Sequence, residues 1–219
     1  MIVTKNFTEP PVCKKEILRY AGCKTKGMQE EEQILGLLEE CLAEVLPKLS
    51  YKLCYIELPL AINGEECDFN GIHLLSKDLA KNLHGCERVV LFAATIGIEI
   101  DRLITKYGHV SPAKAVMLQA IGAERIESLC DAFCEELKKE MGIRPRFSPG
   151  YGDLSLEAQK DIFQILNCSK NIGLSLNDSL LMSPSKSVTA FVGLGHGGEG
   201  KTGNKCALCG HTECAYRGV

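Results

Sequence analysis

The chain has 219 residues, 45% of them hydrophobic and 24% charged, with a formal net charge of -3. That length suits one domain with a sizeable core, and the acidic balance argues against a nucleic-acid partner, which needs a basic stripe. The first residues, 1–6, hold no signal-like apolar stretch, and the longest apolar run, 89–100, is broken by Glu99 and too short to cross a bilayer, so a cytoplasmic protein without membrane contact is expected.

Residues 1–28 are weakly patterned, since Pro10-Pro11 breaks any early element, although Lys14–Tyr20 can form a short helix. Residues 30–48 read as an amphipathic helix. Ile34, Leu38, Cys41, Leu42 and Val45 fall on one face, Glu30, Glu31 and Glu32 load the first turn, and Pro47 closes it. A strand over 51–60 follows, then the hairpin signal Asn63-Gly64 and short strands over 66–69 and 72–74. Ser76 is placed to cap a helix reaching Leu83, ahead of Gly85. Arg88–Thr95 is an almost unbroken apolar run, which predicts a central strand covered on both faces. The junction Thr95-Ile96-Gly97 can present amides to a ligand, although such junctions also occur in folds that bind nothing there. A helix over 99–107 comes next.

Ser111-Pro112 starts the longest predicted helix, with Ser111 as N-cap and Gly142 as the stop. Ala113, Met117, Ala120, Ile121, Phe133, Leu137 and Met141 form its apolar stripe. Glu124, Glu127 and Asp131 share another face, which is either a solvated surface or a place for a ligand's cationic side. The loop 144–153 then holds two prolines, two glycines, two arginines, Tyr151 and Asp153. Proline restricts its predecessor, so Arg144 and Ser148 are expected to be extended, and Pro149-Gly150 predicts a turn. Arg146 can grip a carboxylate with two parallel bonds, and Tyr151 offers a ring face and a hydroxyl. Such a loop suits a small zwitterion bearing a flat heterocycle; it is equally a connection between helices. A helix over 156–166 with Ser155 as cap, and strands over 172–176 and Ser187–Leu194, complete the pattern. With no repeating βαβ unit, the expected class is α+β with a mixed antiparallel sheet and long helices.

The segment Arg146-x-Ser148-Pro149-Gly150-Tyr151, followed by Leu176-Asn177-Asp178-Ser179-Leu180-Leu181-Met182-x-Pro184-x-x-Ser187-Val188, resembles the activation domain of cobalamin-dependent methionine synthase. That family carries arginine–proline–alanine–proline–glycine–tyrosine, then leucine–threonine–glutamate–serine running on to methionine, proline and serine–valine. The resemblance covers roughly 88–195, and departs at Phe147 and Ser148 and at the end of the final strand, where the family's aromatic residues are missing. The chain looks closest to free-standing, single-domain versions. The resemblance implies an S-adenosylmethionine site in which Arg146 anchors the methionine carboxylate, the backbone of Ser148, Gly150 and Tyr151 frames the ligand, and Asp131 or Glu127 meets its cationic side. It implies reductive methylation of cob(II)alamin on a partner, a cobalamin-carrying methionine synthase or related corrinoid protein, with an electron donor supplying the reduction. The chain would then act in trans, as a component of a methyltransferase activity and not as a complete enzyme.

Residues 196–219 read as a glycine linker and a Cys-rich tail beyond a domain over 1–195. Residues 195–202 satisfy the P-loop expression, but Gly203-Asn204 starts a helix poorly, and 203–219 leaves no room for the sheet that supplies a magnesium-binding aspartate. Cys206, Cys209 and Cys214 have the spacing of metal ligands, with His211, Cys168 or no protein group as a fourth, so zinc or an iron–sulfur cluster is the expectation, and a redox or free-thiol tail or no role the alternatives. Of the 12 cysteines, Cys41, Cys54, Cys130 and Cys134 sit at apolar positions and read as buried small hydrophobes. A nucleotide-binding enzyme and a non-catalytic metal-binding interaction protein are the alternatives that these features leave.

Overall fold

The fold is taken from a computed structural model, which describes residues 1–23 and 28–195. It opens with β1 (Val3–Asn6), α1 (Lys14–Tyr20) and α2 (Met28–Val45), the last running into a 3₁₀ turn over Leu46–Lys48. Then come β2 (Lys52–Pro59), a small meander of β3 (Ala61–Asn63), β4 (Glu66–Asp68) and β5 (His73–Leu75), α3 (Lys77–Asn82) and β6 (Arg88–Thr95). The helices α4 (Glu99–Val110), α5 (Pro112–Glu140), α6 (Ala158–Leu166) and α7 (Cys168–Ile172) follow. A two-residue pair, β7 (Ser175–Leu176) and β8 (Met182–Ser183), leads into β9 (Ser187–Leu194).

The main sheet is four-stranded and wholly antiparallel, in the order β1-β2-β6-β9. β6 pairs along its full length with both neighbours, from Arg88↔Leu194 to Thr95↔Ser187 on one side. Successive side chains of a strand alternate between faces. Val90, Phe92 and Ala94 therefore enter one core, with Leu53, Leu38 and Phe133. Val89, Leu91 and Ala93 enter the other, with Leu79, Ile162 and Phe191. Two cores, one on each face, explain why β6 reads as a continuous apolar run. α1, α2, α4 and α5 pack against one another on the first face, and α3, α6 and α7 cover the second. The class is α+β, as the mixture of elements indicated. Among the described residues, no helix is long and apolar enough to cross a membrane.

Several expected elements differ in detail, each for a local reason. β1 lies in the stretch read as weakly patterned. Its side chains are mostly exposed, so no alternation marks it, and the ladder Val3↔Tyr55 to Asn6↔Lys52 makes it a strand. The strand expected over 172–176 shrinks to Ser175–Leu176, because Ile172 ends α7. Gly173 takes φ +69, and the amides of Gly173 and Leu174 close back on Ser169 and Cys168, a left-handed helix stop. α6 starts at Ala158 and not at Leu156, since the Ser155 hydroxyl accepts from the Glu157 amide in a local turn instead of capping. Pro112 opens α5 as expected, but the Ser111 hydroxyl makes no capping bond, and Ala113 is exposed instead of lining the stripe. Cys41, Cys54, Cys130 and Cys134 are all buried.

Candidate functional site

Beyond α5 the chain does not wander as a free loop. The Arg144 amide donates to Gly193 O at 2.9 Å, Phe147 and Phe191 exchange bonds at 2.8 and 2.9 Å, and Ile143 pairs with Leu194. Residues 142–147 thus run alongside β9, the extended course that Pro145 favours. The turn Ser148-Pro149-Gly150-Tyr151 follows, with the Tyr151 amide donating to Ser148 O at 3.1 Å. Proline second and a glycine at φ +85 third is the pattern of a type II turn. Gly150 and Leu154 tighten it further, the Gly150 amide donating to Leu154 O at 2.9 Å.

Asp153 fastens this turn to α3. Its carboxylate accepts from the Ser76 hydroxyl and from the amides of Lys77 at 2.9 Å and Asp78 at 3.2 Å. Ser76 in turn accepts from the Leu79 amide at 3.0 Å, as its capping position predicted. The Ser76 hydroxyl, aided by the two amides, holds the Asp153 carboxyl below its ordinary range. Gly152, at φ +52, lies so near the Asp78 carboxylate that any Cβ there would collide with it.

Arg146 leaves the segment beside β9 and turns towards α5. Its Nη1 donates to Asp131 Oδ1 and its Nη2 to Glu127 Oε2, both at 2.6 Å. Glu127 and Asp131 stand at i and i+4, so they share one side of the helix. The Arg146 side chain is 11% exposed, whereas those of Glu127 and Asp131 are 40% and 59% exposed. Burial works against the charge on Arg146, but neighbouring Cys130, Glu127 and Asp131 outweigh it and the guanidinium pKa is raised. Burial likewise pushes the Cys130 thiol up, so it is a packed, unreactive group beneath the pair. The half-buried Tyr20 at the end of α1 feels Glu127 too: burial and then the Glu127 charge raise its hydroxyl pKa.

The sequence candidates Arg146, Glu127 and Asp131 therefore converge, and Ser148, Gly150 and Tyr151 form the adjoining turn. The two acids, expected to meet a ligand's cationic side, here meet the arginine expected to hold its carboxylate. Tyr151 is 60% exposed, with its ring edge-on to Phe147 at 6.3 Å between centroids.

Glu124 departs from its expected place with Glu127 and Asp131. It is 2% exposed, and both its oxygens accept from the fully buried Arg125 at 2.6 Å. Ser128 Oγ and the Cys13 amide also donate to Glu124, and Arg125 donates to Pro10 O and Pro11 O at 2.6 and 2.7 Å. This buried pair straps the N-terminal segment to α5. Periodicity gave no hint of it, because an arginine in a helix is normally a surface residue. The junction after β6 is also occupied internally: Gly97 at φ +87 makes room for Ser50, whose Oγ would lie 2.5 Å from a Cβ there.

A cleft of about 330 Å³ lies between Asn6, Glu9, Leu46 and Tyr51, but no expected site residue lines it. The charged cluster at Arg146 is the better candidate, since it unites paired charges with a rigid loop. Cys206, Cys209, Cys214 and the glycine-rich 196–202 lie outside the described residues. Among the described residues, no group of three or more metal-ligating side chains stands together. Cys168, weighed as a fourth ligand, is 1% exposed in the second core.

A family model for the activation domain of vitamin B12 dependent methionine synthase matches residues 75–197. A solved structure of the MetH reactivation domain bound to AdoHcy is similar at a TM-score of 0.64 and 13% identity, covering 88% of this chain and 78% of that one. At that identity the likeness is one of fold. No curated protein sequence matches the chain.

Proposed function

The chain belongs to the family of the vitamin B12 dependent methionine synthase activation domain, and from that premise we propose that it binds S-adenosylmethionine at Arg146, Glu127 and Asp131 to support reductive methylation of a corrinoid on another polypeptide. The observation that carries the reading is the convergence of one guanidinium and two carboxylates beside a rigid turn, inside the span that matches the family. The donor set fits the ligand's chemistry. A carboxylate suits the bidentate guanidinium, and an ammonium or sulfonium suits the acids.

The bound ligand would supply a methyl group from a sulfonium, a strongly favourable transfer. What this chain's residues do is bind and orient. Arg146 holds the carboxylate end. The backbone of Ser148, Gly150 and Tyr151, fixed by the turn and by Asp153, limits how the rest can lie. Burial of Arg146 strengthens its grip relative to an arginine in water. Positioning of this kind can supply much of a bimolecular rate.

Calorimetric titration of the anaerobically purified protein with S-adenosylmethionine tests the reading, with ATP and Mg²⁺ as control. Binding of the first ligand only is expected, weakened about 10- to 100-fold by Arg146→Ala, the scale of a lost charged hydrogen-bond pair. Binding of ATP instead, or equal affinity in the variant, would overturn it.

A further inference from the structure

Three cysteines near the C-terminus, Cys206, Cys209 and Cys214, have no part in ligand binding at Arg146. They stand at C-x-x-C and C-x-x-x-x-C spacing, and both spacings let thiolates meet one ion. His211 is a poor fourth ligand, since a single residue separates it from Cys209, closer than paired zinc ligands normally stand. A closed site then draws its fourth ligand from the domain itself. Cys54, Cys67, Cys130 and Cys168 do not qualify, because each has at most 1% of its surface exposed inside the two cores.

Cys86 is placed differently. It is 9% exposed and lies between α3 and β6, at the end of the sheet where Arg88 pairs with Leu194. β9 passes over it with two glycines. A Cβ at Gly193 would lie 2.7 Å from Cys86 Sγ, and one at Gly195 would lie 3.6 Å from it. The strand comes this near the thiol only because neither position carries a side chain. The Gly195 amide donates to Gly142 O at 3.2 Å, which holds that residue in place. The described chain therefore ends beside Cys86. Cys206 follows Gly195 by 11 residues, and such a link spans at most about 36 Å. A tether of this length holds the three thiols around Cys86 at an effective concentration on the order of millimolar.

We propose that Cys86 joins Cys206, Cys209 and Cys214 as the fourth thiolate of a closed zinc site, which clasps the C-terminal residues to the turn between α3 and β6. The site is independent of ligand binding at Arg146. Zinc fits better than an iron–sulfur cluster, because the Gly193 backbone lies close against the thiol and leaves room there for one ion and not for a cage of iron and sulfide. Binding replaces the four thiol protons, which go to solvent. A zinc ion held by four thiolates is dianionic. Arg144 supplies a nearby countercharge: its stem packs along Gly193, and its Nη2 donates to His84 O at 2.8 Å.

The test starts from protein purified anaerobically under reducing conditions, stripped by a chelator and reloaded with zinc. One zinc per chain is expected, with four sulfur ligands by X-ray absorption. The C-terminal residues supply three, so the fourth sulfur comes from the domain. In Cys86→Ser the count should fall to three sulfurs and one oxygen or nitrogen. Zinc affinity, read by competition with a chromophoric chelator, should fall at least about 100-fold, since losing even an indirect support of a ligand costs about 10- to 100-fold. Cys168→Ser and Cys13→Ser should change neither readout. Zinc should also raise the melting temperature of wild type more than that of Cys86→Ser. Four sulfurs retained in Cys86→Ser would overturn the proposal. So would a nitrogen ligand in the wild-type shell, iron with acid-labile sulfide in place of zinc, or no bound metal. The wild-type sulfur count holds whatever the substitution does to folding, and metal-free melting curves of wild type, Cys86→Ser and Cys86→Ala separate a lost ligand from a weakened core.

Discussion

Asp153 joins two elements through one carboxylate, accepting from Ser76, Lys77 and Asp78 at the start of α3. The Ser76 hydroxyl, with the two amides, lowers its folded-state pKa. A depressed carboxyl stabilises the fold above the unfolded pKa, and that contribution is lost as pH falls through the folded value. Asp153→Asn should therefore melt below wild type at neutral pH, and the gap should narrow as the pH drops below about 4. Thermal melts across that range decide it; a gap that stays constant would mean the charge plays no part. Gly150 and Gly152 act at the same scale. Their positive φ lets the chain fold back at Asp153, leaving Arg146 on one side of the turn and the α3 anchor on the other.

α5 carries two unlike charged clusters on different sides. Glu127 and Asp131 face the loop, half in solvent. Glu124 and Arg125 are buried and bind the carbonyls and amide of the N-terminal segment. Removing one member of a buried pair leaves an uncompensated charge. Arg125→Met should cost about 3–5 kcal/mol in urea unfolding. Glu124→Gln/Arg125→Met should cost less than Arg125→Met alone; equal losses would show that packing, and not the stranded charge, is what matters. These two clusters mark how far the sequence is legible. Spacing put Glu127 and Asp131 on one helix face and composition marked Arg146 in a stiff loop, but it was the resemblance to the family's motifs that named the three as candidate site residues. Glu124 was misplaced because spacing alone cannot show that the Pro10-Pro11 carbonyls come to rest against the next residue. β6 and β9 were readable because burial on both faces leaves an unbroken apolar run. β1 and α7 were not, since one depends on its partner strand and the other on a left-handed Gly173.

Across the whole molecule, the family match begins near β5 and ends just past β9, which covers the candidate site but not β1, α1, α2 or β2. The fold likeness reaches 88% of the chain and so extends into the N-terminal third that precedes the match. The candidate cluster of Arg146, Glu127 and Asp131 lies inside the span that matches the family. A unit of this kind should act on a corrinoid carried elsewhere: added with a reductant and S-adenosylmethionine to an oxidised corrinoid methyltransferase lacking its own activation domain, it should restore turnover. No recovery in that assay would sink the proposal of action in trans.

The run 142–147 along β9 has a further effect. An open sheet edge is a template for another chain, and aggregation starts there. On the β9 side this run occupies that edge through Ile143 and Phe147. On the far side, β1 is only four residues long and carries Lys5, paired with Glu136 at 2.8 Å. The stretch that presents Arg146 is thus also a guard against polymerisation, and substitutions that loosen it should yield insoluble protein.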